Sequence, residues 1–368
     1  MNTQILQENF MRALTRVGRI IPPRPQLPIL QNIKMKATKD GIEMTATNME
    51  TTISMWAGGK IQKEGEVCVP ARLLTEFVAT LPQSTVTMTF EDGSLTVSCG
   101  TYKANIPTAP VAEFPQTPSF EEKGSAKTDK KAFIEAISSV LFAAATDEGR
   151  PVLTGVKVKK DEEGIILAAT DGYRLSVRHV HTALALEEGV VIPAKALFEV
   201  VKMCQEEKED QELVVSNLTD KQIGFKIGET SLFTRLLSGE YPSFERIIPK
   251  NFTTRTLVDK ELLLHAAKSA AIFARDNANI IKLSFAKQKI TVSANAPQTG
   301  GNTVDVDAKI DGDGGEIAFN SRFLIEYLSN IMEEDVLFEM TGALNPGVFK
   351  SPKDEGQIHI IMPVRISG

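Results

Sequence analysis

The chain is poor in the features on which secreted, membrane and disulfide-bonded proteins depend. Its 368 residues include 3 cysteines (Cys68, Cys99 and Cys204), too few for a disulfide framework. No apolar run approaches the roughly 18 residues of a membrane-spanning helix, and the first residues lack the basic and then apolar layout of a signal peptide. We therefore expect a reduced, soluble, cytoplasmic protein with no membrane partner.

Motifs of catalysis and of cofactor binding are missing as well. The sequence has no Gly-x-Gly-x-x-Gly, no Walker loop and no His-Glu-x-x-His. His179 and His181 lie two apart on one predicted strand and could ligate a metal ion, but no cysteine lies near them and the chain has 4 histidines in all. No cysteine has a histidine partner for nucleophilic catalysis. The sequence thus predicts a protein that is not an enzyme and that holds no cofactor and no metal.

An excess of positive charge is absent too, since the net charge is −6. That value argues against binding of nucleic acid by bulk attraction, but the charge is unevenly distributed. Six segments predicted to be helical carry a net charge of +4, and the rest of the chain carries −10. The six segments span residues 8–20, 69–82, 129–142, 193–204, 259–275 and 319–330.

What the chain does contain is one pattern repeated three times. A strand pattern at residues 41–46 recurs at 164–169 and 289–294, with offsets of 123 and 125 residues. A short amphipathic helix follows each strand at the same rhythm. Because this period is the size of a whole domain, we predict three tandem copies of one α+β domain.

Alternating strands pair as antiparallel hairpins in each predicted copy. The first hairpin turns at Asp92 and Gly93, residues that favour a tight hairpin turn. The predicted pairs are residues 86–90 with 95–98, 213–216 with 222–227, and 336–340 with 357–362. Linkers at residues 114–128 and 249–256 separate the copies, with boundaries near residues 124 and 251. The predicted domains are residues 1–124, 125–251 and 252–368.

Two of the predicted helices have one apolar and one basic face. In the first, Phe10, Leu14 and Val17 share a face, and arginines recur with helical spacing roughly opposite. We expect a buried apolar stripe and an exposed basic ridge. The basic residues of the two helices are Arg12, Arg16 and Arg19 in the first, and Lys195 and Lys202 in the fourth.

Six motifs, in this order along a triplicated chain, together resemble the bacterial sliding clamp, the beta subunit of DNA polymerase III. They lie at residues 24–30, 69–72, 170–175, 239–242, 246–249 and 362–366. The resemblance runs the full length of the chain. It implies a head-to-tail homodimer that forms a ring, with antiparallel sheets outside and two helices per domain facing a central hole. Such a ring encircles double-stranded DNA without sequence preference and acts as a processivity factor.

The resemblance also implies a pocket between the second and third domains. The pocket captures short linear peptides of DNA polymerase and clamp-loader subunits. Its own Leu, Ile, Met and Pro residues offer an adaptable apolar floor, and Arg174, Arg246 and Arg365 are expected at the rim. The matching positions are Leu153, Thr170, Gly172, Tyr173, Arg174, Leu175, Pro242, Arg246, Ile247, Asn320, Phe323, Leu344, Ile360, Met362, Pro363, Val364 and Arg365.

Positions for DNA and for the second subunit follow from the same resemblance. Arg24 matches a position that contacts DNA, and Pro151 and Val152 stand where the family has aromatic residues. A match at the dimer interface is found for Ile106, Ile272 and Phe273. Together with the basic helix residues found from their spacing, the residues expected to face DNA are Arg12, Arg16, Arg19, Arg24, Lys195 and Lys202.

Two other functions stay open at this point. One is a peptide-binding scaffold of the same fold that does not encircle DNA, because the predicted helices are only mildly basic. The other is an enzyme, a hydrolase that uses His179 or His181. A dimer that stays on circular DNA and leaves linear DNA would distinguish the ring from both.

Overall fold

The computed structural model describes residues 1–120, 125–147, 149–160, 162–181, 184–218, 221–286, 288–296 and 300–365. Residue 124, at a predicted domain end, and Ile366, in the last motif, lie outside the described residues. Within this part of the chain, no helix combines the length and the apolar character needed to cross a membrane.

The described residues form α-helices interspersed with antiparallel β-strands, an α+β fold. The helices are α1 (Gln7–Gly18), α2 (Ala71–Ala79), α3 (Lys130–Leu141), α4 (Ala194–Glu206), α5 (Lys260–Ala274) and α6 (Ser321–Asn330). The strands are β1 (Asn2–Leu6), β2 (Asn32–Thr38), β3 (Gly41–Thr47), β4 (Thr51–Ala57), β5 (Lys60–Lys63), β6 (Gly65–Pro70), β7 (Thr85–Glu91), β8 (Ser94–Cys99), β9 (Tyr102–Pro107), β10 (Ser125–Thr128), β11 (Gly155–Lys160), β12 (Ile165–Thr170), β13 (Arg174–Val180), β14 (Val191–Pro193), β15 (Leu213–Leu218), β16 (Gln222–Ile227), β17 (Thr230–Arg235), β18 (Thr254–Asp259), β19 (Ile280–Ala286), β20 (Lys289–Ala296), β21 (Gly300–Gly312), β22 (Gly315–Asn320), β23 (Asp335–Met340), β24 (Gly347–Lys350) and β25 (Gln357–Ile361).

All six predicted helices are confirmed, with ends within three residues of the prediction. Helix starts follow local chemistry: the Asp259 carboxylate accepts the Leu262 N–H at 2.8 Å, and the Asn320 side chain accepts the Arg322 N–H at 3.0 Å. Every strand pair among the described residues is antiparallel, as the alternating patterns predict.

One compact unit consists of Met1–Lys130 and Lys202–Leu236. It holds a five-stranded sheet in the order β5-β1-β7-β8-β9 and an eight-stranded sheet in the order β10-β15-β16-β17-β4-β3-β2-β6. Helix α1 packs on β3, β4 and α2. Phe10, Leu14 and Val17 are fully buried, so the predicted apolar stripe is confirmed.

The second compact unit consists of Lys131–Val201 and Leu237–Gly368. Its twelve strands run in the order β14-β11-β12-β13-β25-β24-β23-β18-β21-β20-β19-β22. The long strand β21 serves two partners, because residues 300–307 pair with β20 and residues 308–312 pair with β18. Helices α5 and α6 pack against each other, and α5 lies on β20 and β21.

Two of the three predicted hairpins are confirmed and one is wrong. Asp92 and Gly93 both have positive φ (48° and 75°), as a tight hairpin turn requires, and β15 pairs with β16 as predicted. Strand β23 does not pair with β25, because the four-residue strand β24 lies between them. Phe349 of β24 is fully buried in the core and holds this short strand in place.

The four strands β12, β13, β25 and β24 bury different residues on their two faces. One face carries the apolar cluster that includes Leu175, Val177, Val348 and Ile360, packed against Phe244. Residues one position away in the sequence point to the other face, because strand side chains alternate. That face contains Ser176 and His359, whose Oγ and Nδ1 atoms lie 2.6 Å apart.

His359 is a buried, neutral group in this core. The residue is 1% exposed, and its ring stacks on Tyr327 with centroids 4.5 Å apart. Its Nε2 atom has no hydrogen-bond partner among the residues the structure describes. Burial, and then the positive charge of Arg174, lower the pKa of His359 well below its usual value of 6.5.

This depressed pKa predicts a loss of stability in acid. Below about pH 6.5 the unfolded chain protonates His359 and the folded chain does not, so the unfolded state binds more protons. The free energy of unfolding should therefore fall between pH 7 and pH 5, with a contribution of up to about 1.4 kcal/mol per pH unit from this residue. Urea denaturation at several pH values measures the slope.

The variant His359→Gln is the control for this experiment. It lacks the titrating group, so the difference in unfolding free energy between the natural protein and the variant should shrink as the pH falls. Two curves that stay parallel from pH 7 to pH 5 would contradict the assignment.

Candidate functional site

The turn between β12 and β13 is fixed by its own side chains. Thr170 Oγ1 donates to the Arg174 carbonyl at 2.6 Å and accepts the Gly172 N–H at 3.0 Å. Asp171 Oδ1 accepts the N–H groups of Tyr173 at 2.9 Å and Arg174 at 3.0 Å. Gly172 has φ +91°, a conformation that glycine adopts without strain. The four bonds hold Tyr173 at the tip, 67% exposed.

Arg174 is not at the rim of a pocket, which corrects the prediction. The residue is 8% exposed. Its guanidinium donates to Asp171 Oδ2 at 3.1 Å, to the Phe142 carbonyl at 2.7 Å and to Glu326 of α6. It also lies over the Phe323 ring, 4.7 Å from the centroid. Its donors are used inside the protein, so Arg174 fixes the turn to α6.

An aromatic pair lies above Arg174. The rings of Tyr173 and Phe323 stack with centroids 6.5 Å apart and planes 19° apart. The Met362 N–H donates to the Tyr173 carbonyl at 2.9 Å, so the C-terminal segment continues the pairing of β25 with β13 beyond the end of the strand. Met362 is 38% exposed. Tyr173, Phe323 and Met362 form what we call the Tyr173 surface.

Four of the predicted pocket residues are buried below the surface. Each is 6% exposed or less, so their side chains pack below the surface. Tyr241 and Phe244 cover the cluster around Leu175 and Ile360. The Tyr241 hydroxyl donates to the Ala168 carbonyl at 3.2 Å, and burial raises the pKa of this hydroxyl. The four residues are Leu153, Thr170, Leu175 and Ile360.

Apart from the buried Arg174, the other predicted pocket residues are exposed or half-buried. Asn320 is half-buried and caps α6, while the Val364 N–H donates to the Ala318 carbonyl at 2.8 Å. The last described residues are thus held against β22. Besides Tyr173 and Met362, the exposed members are Gly172, Pro242, Arg246, Ile247, Leu344 and Arg365, and the remaining half-buried members are Pro363 and Val364.

The predicted basic ridge of α1 is wrong at Arg16. This residue is 3% exposed, and its guanidinium pairs with Glu206 at 3.1 Å and Glu207 at 2.5 Å and donates to Thr230 Oγ1 at 2.7 Å. Because these groups neutralise and surround it, Arg16 has no free face for phosphate. Arg19 is half-buried and also pairs with Glu206.

The remaining basic residues differ in exposure. Arg12 and Lys195 are exposed on α1 and α4, and Arg24 is exposed in the loop after α1. Lys202 is half-buried. Fewer basic side chains are therefore exposed to phosphate than the sequence predicts.

The residues predicted at the dimer interface also differ in exposure. Ile106 is 1% exposed, because strand alternation in β9 directs it into the core, so its side chain cannot contact a second subunit. Strand β9 itself is an edge of the five-stranded sheet, as predicted. Ile272 is 59% exposed and Phe273 is half-buried on α5.

Sequence reasoning missed Phe142, Glu326 and Phe244. Phe142 and Glu326 are distant from Arg174 in the sequence, and nothing local predicts their contact. Phe244 lies two residues before Arg246, inside a loop without strand or helix periodicity. The sequence signal for Phe244 is its position two residues after the Gly-x-Tyr-Pro motif at residues 239–242.

Three family descriptions match the chain in order. They are DNA polymerase III beta subunit, N-terminal domain (residues 1–118), central domain (residues 127–243) and C-terminal domain (residues 245–365). Three tandem clamp domains with antiparallel sheets are thereby confirmed. The domain ends predicted near residues 124 and 251 stay a prediction.

Known proteins with similar sequence or structure are sliding clamps. The beta sliding clamp of Staphylococcus aureus is 30% identical over 377 residues, which is 99% of each chain. The beta sliding clamp of Synechococcus elongatus is 30% identical over 369 residues, 98% of each chain. The DNA polymerase sliding clamp of Bacillus subtilis has a TM-score of 0.93 and 28% identity over 100% of each chain.

The contacts of Arg174 predict a large effect of its removal. In Arg174→Leu, Asp171 and Glu326 lose their partner and the Phe142 carbonyl loses a donor. Breaking a buried ion pair lowers the free energy of unfolding by about 3–5 kcal/mol. We expect the lower value, about 3 kcal/mol, because Glu326 is half exposed and regains contact with water. Urea denaturation measures the loss. The exposed Arg246→Leu is the matched control and should change stability by about 0.5 kcal/mol or less. Equal effects of the two substitutions would contradict the role given to Arg174.

Proposed function

Because the chain belongs to the family of DNA polymerase III beta subunits, the bacterial sliding clamps, we propose that two copies close into a ring around duplex DNA and tether replication proteins to it. The ring gains processivity from encirclement and not from tight contact. The proposal needs two free sheet edges, a wall that tolerates phosphate, and a surface for partners.

Two strand edges support a head-to-tail dimer. Strand β9 ends the five-stranded sheet, and residues 300–307 of β21 have a paired strand on one side only among the described strands. Unpaired edges are templates for pairing with another chain. We propose that β9 of one copy pairs with β21 of the other, with Ile272 and Phe273 beside the junction. A two-fold axis then repeats the contact and closes the ring.

The exposed basic residues suit a wall along which DNA slides. Arg12, Arg24 and Lys195 carry charge that can attract phosphates without a fixed register. The burial of Arg16 lowers the number of phosphate contacts, which favours sliding over tight binding. The half-buried Arg19 and Lys202 contribute at most part of their charge.

The Tyr173 surface supports the partner site. Exposed Tyr173 and Met362, with half-buried Phe323, present apolar and aromatic area, and the predicted pocket residues Pro242 and Ile247 are exposed as well. Such surfaces bind short peptides through a few large anchors. We propose that polymerase and clamp-loader subunits bind here through short linear segments, and that Arg246 and Arg365 contact carbonyl or carboxylate groups of the segment.

Topology distinguishes encirclement from ordinary DNA binding. Protein deposited on a nicked circular plasmid by a clamp loader and ATP should co-elute with the plasmid in gel filtration at moderate salt. Cutting the plasmid once should release it, because a ring slides off an end. Equal retention on circular and linear DNA would contradict encirclement and favour a scaffold or an ordinary DNA-binding protein.

The partner site predicts a loss of peptide affinity in surface variants. Binding of a fluorescent peptide of sequence acetyl-Ser-Leu-Leu-Ser-Leu-amide, measured by anisotropy, should weaken about tenfold or more in Tyr173→Ala and in Met362→Ala, because each removes an anchor. Met332→Ala is the matched control, since Met332 is 89% exposed and lies outside the Tyr173 surface. Unchanged affinity in both test variants would contradict the site.

A further inference from the structure

The turn between β3 and β4 reproduces the turn that carries the Tyr173 surface. Thr47 Oγ1 accepts the Met49 N–H at 3.1 Å, as Thr170 Oγ1 accepts the Gly172 N–H at 3.0 Å. Met49 has φ +77°, beside φ +91° at Gly172. The offset is 123 residues, the spacing of the repeated strands. A methionine rarely adopts this conformation, so the turn geometry is maintained at Met49 against a backbone cost.

The side-chain cap of the turn is repeated too. Asn48 Oδ1 accepts the Glu50 N–H at 3.0 Å, and Asp171 Oδ1 accepts the Tyr173 N–H at 2.9 Å. Glu50 therefore occupies in the first turn the place that Tyr173 occupies in the second.

The neighbouring strand ends in the same way at both turns. The Arg235 N–H donates to the Glu50 carbonyl at 3.0 Å, and the Met362 N–H donates to the Tyr173 carbonyl at 2.9 Å. Strand β17 pairs with β4 as β25 pairs with β13. Arg235 is therefore the counterpart of Met362.

A cavity of about 80 Å³ lies at the first turn. Its lining includes Thr47, Met49, Phe233, Thr234 and Pro115. The space holds several water molecules or the end of one side chain. Met49, one of the lining residues, is 45% exposed.

The two turns differ in chemistry. The exposed pair beside the second turn is Tyr173 and Met362, which is apolar, and the exposed pair beside the first is Glu50 and Arg235, which is charged. Within the described residues no ion pair joins Glu50 to Arg235, although their strands are adjacent. Both charges thus remain available to a ligand, and Thr47, Thr52 and Thr234 line the same cavity.

We propose that this groove is a second peptide-binding site, specific for an extended segment that carries an acidic and a basic side chain next to each other. The acidic group pairs with Arg235, the basic group pairs with Glu50, and the cavity accepts a small polar side chain. This inference rests on the proposed function, because it gives the proposed clamp a second site for a second class of partner segment. Since both ion pairs lie at the surface, binding is weak and depends on salt.

Methionine methyl groups report on the two grooves separately. In full-length protein labelled with 13C at the methionine methyls, Met49 lies at the first groove and Met362 at the second. The charged probe is acetyl-Thr-Glu-Lys-Thr-Glu-amide, and the apolar probe is acetyl-Ser-Leu-Leu-Ser-Leu-amide. The charged peptide should shift the Met49 resonance and leave Met362 in place, and 0.5 M NaCl should reverse the shift.

Substitutions then test the two charges. Arg235→Glu and, independently, Glu50→Lys should abolish the Met49 shift, whereas Lys39→Glu, an exposed charge reversal in the turn between β2 and β3, should preserve it. A Met49 resonance that does not move, or that moves equally in Arg235→Glu, overturns the second site. The apolar peptide separates this failure from failure of the proposed function, because it tests Met362 alone.

Discussion

Antiparallel pairing between strands of different domains within the chain is the interaction on which the other features depend. Strand β17 pairs with β4, and β25 pairs with β13. Each pairing closes two sheet edges that would otherwise expose unpaired N–H and C=O groups. Each also sets a strand end beside a turn, so that Arg235 meets Glu50 and Met362 meets Tyr173. Both candidate grooves are consequences of these junctions.

Inside each unit, buried arginines secure the elements around the junctions. Arg174 joins the second turn to α6, and Arg16 joins α1 to Glu206, Glu207 and Thr230. A buried guanidinium is tolerated because several acceptors surround it. The same residue type therefore serves two purposes in this chain, as an internal connector where it is buried and as a mild phosphate attractant where it is exposed.

The repeat and the 3.6-residue period were sufficient to predict six helices, the antiparallel sheets and the three copies. They were insufficient where the outcome depends on distant residues. The acidic partners of Arg16 lie 190 and 191 residues away, so spacing along α1 alone could not reveal its burial. Ile106 is different, since alternation along β9 already indicated an inward side chain. Strand β24 has four residues, too few for a pattern. Of the candidate site, the turn at residues 170–175 was predictable from its Asp-Gly pair, but its attachment through Phe142 and Glu326 was not.

Native-state amide hydrogen exchange tests the junctions most directly. The account predicts that amides of β4, β17, β13 and β25 that bond across a junction exchange as slowly as those of the inner strands β3 and β12, because both sides of each strand are paired. Exchange of the junction amides as fast as that of the edge strand β5 would contradict it.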